Sequence, residues 1–344
     1  MHHPACTNRA VLVAAATLAV MASGTHASLT FTNSTTANGL GFNFVRGVYA
    51  SGGTIYAATL RGLSTSTNGG VSWTNSTTAN GLGGNIVRGV YESSGTIYAA
   101  TNGGLSIYKD STWTTFTTAN GLADNTVYGV YESGGTIYAA TGGGLGTSTN
   151  GGVSWTNSTT ANGLGNNFVY GVYESGGTIY AATRGGLSTS TNGGVSWTNF
   201  TTANGLGNNR VWGVYKSGGT IYAATNGGGL GTSTNGGVSW TNSTTANGLG
   251  DNNVLGVYES GGTIYAATSG GLSTSTDGGV SWTNYTTANG LGNNFVYGVY
   301  ESGGTIYAAT TGGLSIANVT AVPGAAGVAG LATIGLVGLR RRRR

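Results

Sequence analysis

Arginine and aromatic side chains are frequent at the few positions at which an otherwise repetitive sequence changes from one unit to the next. The guanidinium fork suits carboxylate, sulfate and phosphate groups, and aromatic rings provide stacking planes for sugar rings or peptides. This combination predicts a surface that binds an anionic ligand. The candidate binding residues are Arg46, Arg61, Arg88, Tyr128, Tyr170, Arg184, Arg210, Trp212 and Tyr297.

These positions are defined by a unit that occurs seven times. Each unit contains Gly-Val-Tyr, is preceded by Thr-Thr-Ala-Asn-Gly-Leu and continues into Thr-Ile-Tyr-Ala-Ala-Thr. A period of about 40 to 45 residues without a helical pattern is typical of a β-propeller. The Gly-Val-Tyr copies begin at Gly47, Gly89, Gly129, Gly171, Gly213, Gly256 and Gly298.

Each unit is predicted to form four antiparallel strands. In one copy, four short runs rich in Val, Ile, Tyr, Trp and Thr alternate with turns that contain Gly or Asn. Such residues fit a pleated, half-buried surface, and Gly or Asn accepts the positive φ of a tight hairpin. We therefore predict an all-β, seven-bladed propeller of four-stranded blades, with strands in this copy at 168–174, 178–183, 187–191 and 195–200.

The ends of the array predict how the ring closes. The seventh unit has no fourth strand, whereas residues 29–33 align with the fourth strand at 71–75, with Phe31 in the place of Trp73. The N-terminal strand is therefore expected to complete the last blade. This arrangement removes the open edge between the first and last blades.

Antiparallel connections predict that the variable positions share one face. The loop between the second and third strands and the start of the first strand lie at the same end of a blade. The nearly invariant Ser-Gly-Gly and Asn-Gly-Gly turns lie at the other end. The alternative is that these positions vary because loops tolerate change, and that their aromatic members pack between blades.

Catalytic residues are scarce in the repeats. All three His and the single Cys lie within the first 26 residues, so a Ser-His-Asp triad, a Cys nucleophile and the usual zinc sites are excluded from the repeats. Asp124 and Asp251 share one loop position but belong to blades nearly opposite one another, too far apart for a glycosidase pair. We predict no enzyme, no metal and no cofactor. Five glutamates at one repeat position are expected to form a solvated rim: Glu92, Glu132, Glu174, Glu259 and Glu301.

The charge distribution disfavours nucleic acid as a partner. Of the 13 Lys and Arg residues, Arg9 and the last five residues lie in the terminal segments, which leaves 7 in the repeats against 9 Asp and Glu. A nucleic-acid footprint needs basic residues clustered on the folded domain. The repeats are instead weakly acidic, with a surface dominated by Ser, Thr, Asn and Gly.

Both termini predict export. Residues 1–27 have the organisation of a secretory signal peptide, with Arg9 before an apolar run and a small-residue cleavage site; an uncleaved anchor is the alternative. Residues 28–320 form the propeller. Residues 321–344 combine Val322 and Pro323, an apolar stretch and a basic end that marks the cytoplasmic side of a membrane. That end comprises Arg340, Arg341, Arg342, Arg343 and Arg344.

Three segments resemble known families. The stretch from Asn162 through residues 178–183 to Leu187 resembles the propeller repeat of two-component-regulator sensor proteins. Residues 190–197 resemble the Asp-box hairpin of sialidases and related propellers, which implies a structural turn and not catalysis. Residues 322–344 are similar to the PEP-CTERM sorting signal, although Pro323 is followed by Gly324-Ala325 where that family has Glu-Pro.

The sequence therefore predicts a secreted or surface-anchored, non-enzymatic binding or structural propeller of the cell surface, periplasm or extracellular matrix. Its expected partners are polysaccharide, such as an anionic extracellular glycan, or another surface protein. The C-terminal segment is expected to engage the membrane and a sorting and processing machinery. One alternative is a sensor-type ectodomain that works with a signalling partner. A sialidase-like, glycan-cleaving enzyme is the second alternative.

Overall fold

Seven four-stranded antiparallel sheets account for the repeated sequence in the computed structural model, which describes residues 29–319. Each sheet is one blade, and the first strand of each blade lies against the first strands of the two neighbouring blades. The prediction of an all-β, seven-bladed propeller is confirmed. We number the blades 1 to 7 in the order of their first strands along the chain.

The four strands of a blade differ in length and position. The innermost strands are β2 (Val45–Ser51), β6 (Val87–Ser93), β10 (Val127–Ser133), β14 (Val169–Ser175), β18 (Val211–Ser217), β22 (Val254–Ser260) and β26 (Val296–Ser302). The second strands are β3 (Thr54–Thr59), β7 (Thr96–Thr101), β11 (Thr136–Thr141), β15 (Thr178–Thr183), β19 (Thr220–Thr225), β23 (Thr263–Thr268) and β27 (Thr305–Thr310). The third strands are β4 (Gly62–Ser66), β8 (Gly104–Lys109), β12 (Gly144–Ser148), β16 (Gly186–Ser190), β20 (Leu230–Ser233), β24 (Gly271–Ser275) and β28 (Gly313–Asn318). The outer strands are β5 (Thr74–Ser76), β9 (Thr112–Phe116), β13 (Thr156–Ser158), β17 (Thr198–Phe200), β21 (Thr241–Ser243), β25 (Thr283–Tyr285) and β1 (Thr32–Ser34).

The N-terminal strand closes the ring as predicted. β1 pairs antiparallel with β28, so the sheet of blade 7 has the order β1-β28-β27-β26. Side chains reinforce the pairing, because Asn33 Oδ1 accepts from Ser315 Oγ at 2.6 Å and Asn33 Nδ2 donates to the Gly290 carbonyl at 2.8 Å. The first and last strands of the array therefore belong to one blade.

A short 3-10 turn after each outer strand was not expected from the sequence. The N-cap threonine and the asparagine three residues later form a capping box, and the following glycine takes a left-handed conformation, with φ of 92° at Gly39. This turn directs the chain from the outer edge of one blade toward the inner strand of the next. The turns span Thr36–Asn38, Thr78–Asn80, Thr118–Asn120, Thr160–Asn162, Thr202–Asn204, Thr245–Asn247 and Thr287–Asn289.

The outer strand is shorter than predicted. The sequence indicated a strand from 195, but β17 begins at Thr198, and Val195 is 74% exposed. The strand starts later because the Asn192 side chain stabilises a turn before it. Asn192 Oδ1 accepts a hydrogen bond from the Ser196 amide at 3.0 Å, and Asn192 Nδ2 donates one to Ser196 Oγ at 2.8 Å. These bonds hold the chain in a loop, because a short polar side chain competes with the sheet ladder for backbone groups.

The apolar core lies between adjacent blades. In the cluster between blades 4 and 5, Leu187 of one blade and Val211 and Ile221 of the next are almost completely buried. The two central alanines of each second strand are also fully buried, which lets neighbouring sheets approach closely. Seven similar clusters surround the axis, so each blade is stabilised mainly by its two neighbours.

The terminal predictions fall outside the described residues. The signal peptide at 1–27 and the sorting segment at 321–344, with Val322, Pro323 and the five terminal arginines, have no structural description and remain predictions. Within residues 29–319 no helix has the length and apolar character needed to span a membrane. The described residues all belong to a single structural unit.

Candidate functional site

A cavity of about 340 Å³ opens where the inner strands begin, and we call it the mouth cavity. One residue from each of the seven inner strands lines it, so residues about 40 positions apart in the chain meet around one axis. The lining contains no carboxylate. Its members are Arg46, Arg88, Tyr128, Tyr170, Trp212, Asn253, Leu255, Phe295 and Tyr297.

A β-bulge turns the side chain of one residue in each of the seven inner strands toward the cavity. In blade 1, Val45 pairs with Thr59 and Gly47 pairs with Ala58, so Arg46 stands outside the ladder. The same register shift occurs in every inner strand. A bulge changes the direction of the side chain at the extra residue. Local backbone geometry, repeated seven times, therefore gathers the variable residues at the channel mouth.

Two buried guanidinium nitrogens are the chemically distinctive feature of the mouth cavity. The Nε atoms of Arg46 and Arg88, on adjacent blades, are buried and have no hydrogen-bond partner. Burial lowers the pKa of Arg46, and the neighbouring Arg88 charge lowers it further. Unpartnered buried donors and like charges both cost free energy. An anion between the two side chains would satisfy the donors and offset the repulsion.

Aromatic rings support both arginines. Arg46 Cζ lies 5.3 Å from the centre of the Phe44 ring and 5.4 Å from that of Tyr297, and Arg88 Cζ lies 4.7 Å from the Tyr128 ring. Cation–π contacts of this kind stabilise a guanidinium without using its hydrogen-bond donors. The cation–π contacts therefore hold both guanidinium groups in position at the wall of the mouth cavity.

Most of the remaining lining of the mouth cavity is aromatic, apart from Asn253 and Leu255. The rings of Tyr170 and Trp212 lie 4.5 Å apart between centres. Trp212 Nε1 donates to Asn253 Oδ1 at 3.3 Å, and Asn253 Nδ2 donates to Ser269 Oγ at 2.7 Å, which fixes the indole plane. A ring held in one orientation gives a flat surface on which a ligand can stack.

The structure divides the candidate residues into two groups. Arg46, Arg88, Tyr128, Tyr170, Trp212 and Tyr297 line the mouth cavity. The other three arginines do not: Arg184 is exposed, Arg61 lies over the Phe42 ring at 4.8 Å, and Arg210 lies over the Trp212 ring at 5.5 Å. They belong to loops at the same end of the blades, outside the lining.

Sequence reasoning missed three lining residues. Leu255 occupies the bulge position, and Asn253 and Phe295 occupy the variable position two residues before it. An amide and an aliphatic side chain did not suggest anion binding, whereas Phe295 is an aromatic residue of the kind that the prediction favoured. The signal that could have found Leu255 is its position in the repeat, since all seven bulge residues reach the cavity. Of the residues two positions earlier, only Asn253 and Phe295 line the cavity, and the repeat alone does not distinguish them.

A ring of seven tyrosines lies further along the inner strands, and we call it the tyrosine collar. Successive ring centres are 4.7 to 5.0 Å apart, and the interplanar angles are 40° to 54°, close to the rotation between neighbouring blades. The collar encloses a separate cavity of about 130 Å³. Its members are Tyr49, Tyr91, Tyr131, Tyr173, Tyr215, Tyr258 and Tyr300.

The collar predicts loss of stability in alkali. Burial, together with repulsion from neighbouring phenols, raises the pKa of Tyr49, Tyr91, Tyr131, Tyr215 and Tyr258 well above the usual value. A group whose pKa is higher in the folded state contributes stability below its unfolded pKa, about 10, and loses that contribution as the pH rises further. We expect the free energy of unfolding to fall above pH 10, measured by denaturant titration. As the pH rises, the phenolate absorbance of the folded protein should increase at a higher pH than that of the unfolded chain. Coincident titration curves for the folded and unfolded protein would contradict this prediction.

Beyond the collar, the hairpins between first and second strands carry the glutamates predicted to form a rim. In all five, the carboxylate accepts a hydrogen bond of 2.7 Å from a glycine amide in its own turn, as Glu92 does from Gly95. Among residues 29–319 there is no group of three or more potential metal ligands of the His, Cys, Asp or Glu type. The glutamates therefore serve as turn-capping residues in this geometry.

Comparison with known proteins gives a fold and no family. No protein-family model and no curated protein matches the chain. Among solved structures, the extracellular domain of BT3049 from B. thetaiotaomicron, whose name describes a hybrid two-component system, aligns with a TM-score of 0.68 and 19% identity. The alignment covers 85% of this chain and 42% of that one, so this chain spans less than half the length of that protein.

Two further structures show how widely this fold is used. YCF48 bound to D1 peptide aligns with a TM-score of 0.66 and 13% identity, covering 86% of this chain and 98% of that one. An ancestral GH74 enzyme aligns with a TM-score of 0.62 and 18% identity, covering 84% and 46%. At these identities the similarity shows the propeller fold alone. The argument about function therefore depends on the mouth cavity.

Proposed function

We propose that this chain is an exported, non-enzymatic binding module that recognises anionic extracellular glycans through the mouth cavity. The observation that carries the proposal is that Arg46 and Arg88, whose buried Nε atoms have no hydrogen-bond partner in the protein, line one cavity together with a group of aromatic rings. Guanidinium groups supply charge-assisted hydrogen bonds to carboxylate or sulfate, and the rings supply stacking planes for sugars.

The arrangement favours binding over catalysis. The lining of the mouth cavity contains no Asp, Glu, His or Cys, so it offers no acid–base pair and no nucleophile of the usual glycosidase kind. What remains is positive charge, phenol hydroxyls and aromatic surface. These groups can hold a ligand, and a tyrosine nucleophile of the sialidase kind would need a carboxylate partner that the lining does not supply.

Export is the part of the proposal that rests on the termini. We infer a signal peptide at 1–27, a propeller domain at 28–320 and a C-terminal sorting or anchor segment at 321–344 of the PEP-CTERM kind. The Asp-box-like hairpins would act as structural turns, which is the role that the hydrogen bonds around Asn192 support. The extracellular location named for the BT3049 domain agrees with this assignment.

A sensor ectodomain is the second candidate function. It is favoured by the similarity to an extracellular domain of a two-component system. In that case a partner protein would detect ligand binding at the mouth cavity and transmit the signal. The peptide-bound YCF48 neighbour also makes a protein ligand a reasonable competitor to a glycan.

A binding assay on the chain from residue 28 to 320 tests the proposed function. We expect retention on acidic polysaccharides and little on neutral ones, and we expect retention to weaken as salt rises because solvent ions screen charge pairs. Immobilised acidic, sulfated and neutral glycans can be compared under the same conditions. Equal retention on neutral and acidic glycans, or none on either, would refute anionic glycan recognition.

A further inference from the structure

We infer that the mouth cavity recognises the end of an acidic glycan chain, a terminal uronic acid ring inserted end-on, and not a segment in the middle of the chain. This inference rests on the proposed function and specifies which part of the glycan the same site takes. It follows from the polarity of the mouth cavity, its size, and the depth at which the charged donors lie.

The mouth cavity has an anion side and a ring side. Arg46 and Arg88 lie on blades 1 and 2, and in a seven-bladed ring the blade opposite that pair is blade 5, which carries Trp212. A uronic acid places its carboxylate on one side of a sugar ring. Such a ligand would set its carboxylate between the guanidinium groups and its ring against the fixed indole and the Tyr170 phenol.

The donors lie too deep for a ligand that only crosses the surface. Arg46 and Arg88 belong to the lining of the mouth cavity, at the bulge of each inner strand, so an anionic group must enter the cavity to lie between the two side chains. Its volume of about 340 Å³ is near the lower end of the range for small-molecule pockets. A mid-chain residue would need room for two outgoing linkages, whereas a terminal residue needs room for one.

The two described cavities do not join into one passage through which a polymer could thread. The mouth cavity and the collar cavity have no lining residue in common. Between them lies a ring of glycines at which inner strands approach closely; a Cβ on Gly129 would stand 3.4 Å from the Gly171 Cα. The collar beyond encloses only about 130 Å³. In this geometry, a sugar that enters from the mouth side therefore does not continue into the collar cavity.

The lining favours a sugar over a peptide terminus. Tyr128, Tyr170 and Tyr297 carry phenol hydroxyls that can donate to and accept from ring hydroxyls. The Trp212 plane is held by its bond to Asn253, which suits stacking on the C–H face of a pyranose ring. A peptide ending in a carboxylate shares the anion and lacks the array of hydroxyls.

Binding measured against chain length tests the inference. The probes are methyl galacturonide, short galacturonate oligomers, polygalacturonate and methyl galactoside, titrated calorimetrically into the chain from residue 28 to 320. We expect the dissociation constant per molecule to change less than about tenfold from monomer to polymer, with one protein bound per chain. Methyl galactoside should bind at least about tenfold more weakly than methyl galacturonide, the effect of losing one charge-assisted contact.

Each other outcome has a definite meaning. Affinity that rises steeply with chain length, with several proteins per polymer and no binding of the monomer, would overturn end recognition and leave the proposed function standing. No binding of any uronate would overturn both. Displacement by a peptide with an aromatic C-terminal residue, without displacement by uronates, would assign the site to a protein terminus instead. Arg184→Ala, outside the mouth cavity, is the matched control and should bind monomer and polymer as the parent does.

Discussion

Replacing Arg46 and Arg88 together with alanine should abolish retention on acidic polysaccharide. Each guanidinium is expected to contribute a charge-assisted contact of about 1.5 to 3 kcal/mol, so the double variant should bind at least about a hundredfold more weakly. The expectation follows from the two buried Nε atoms, which have no partner within the protein. The measurement is the dissociation constant for an acidic polysaccharide at fixed salt.

Two controls separate loss of recognition from loss of structure. Arg184→Ala removes an equal charge from an exposed loop residue outside the mouth cavity and should change affinity by less than about twofold, as expected for a screened surface charge. The double variant should also keep a free energy of unfolding close to that of the parent, because the loss of the cation–π contacts is offset by the removal of two neighbouring like charges with unpartnered Nε atoms. Unchanged retention in a folded double variant would exclude this site.

Replacing Phe31 with alanine should destabilise the whole ring. Phe31 is 4% exposed, lies edge-on to Tyr285 at 6.0 Å between ring centres, and directly precedes the closing strand β1. Truncation of a buried Phe typically costs about 3 to 5 kcal/mol. We expect a loss of this size in the free energy of unfolding, measured by denaturant titration with binding as a second readout.

The position of Phe31 gives the substitution a particular consequence. Its amide donates to the Asn289 carbonyl at 3.0 Å, so the residue links the last blade to the chain that leads out of blade 6. Weakening it should expose the edge of β28, and an exposed edge promotes association between chains. Val71→Ala, at a residue that is 72% exposed, is the control and should change stability by less than about 0.5 kcal/mol. A comparably small effect for Phe31→Ala would show that closure does not depend on this contact.

The buried hydrogen bonds between third and outer strands show how near-identical blades can differ. In blade 4, Ser188 Oγ donates to Asn199 Oδ1 at 2.6 Å. In blades 3 and 5 a glycine replaces the serine, and Asn157 Oδ1 and Asn242 Oδ1 are left buried without a partner. One hydroxyl therefore decides whether that acceptor is satisfied, and the change is visible in the sequence only once the partner is known.

The repeated sequence is sufficient to specify the architecture of this protein. A unit repeated seven times with strand-forming residues between Gly-rich turns specifies the number of blades and strands, because each blade must bury both faces against its neighbours. The missing last strand and the extra first one specified closure, since an unpaired edge is unfavourable. The antiparallel connections also specify that the variable residues lie at one end of the blades.

Only the tertiary structure decided which of those residues form a site. A β-bulge turns Arg46 and its six counterparts into the channel, whereas Arg61, Arg184 and Arg210 stay in loops outside it. The tyrosine collar likewise required seven identical positions to be brought around one axis. The outer strand is shorter than its composition indicates because the Asn192 side chain binds the backbone of its own turn. In the first two cases, the residues come together only because the blades close into a ring or because the inner strand contains a bulge. In the third, a side chain bonds to its own backbone in place of the strand ladder. None of these contacts can be deduced from residue type alone.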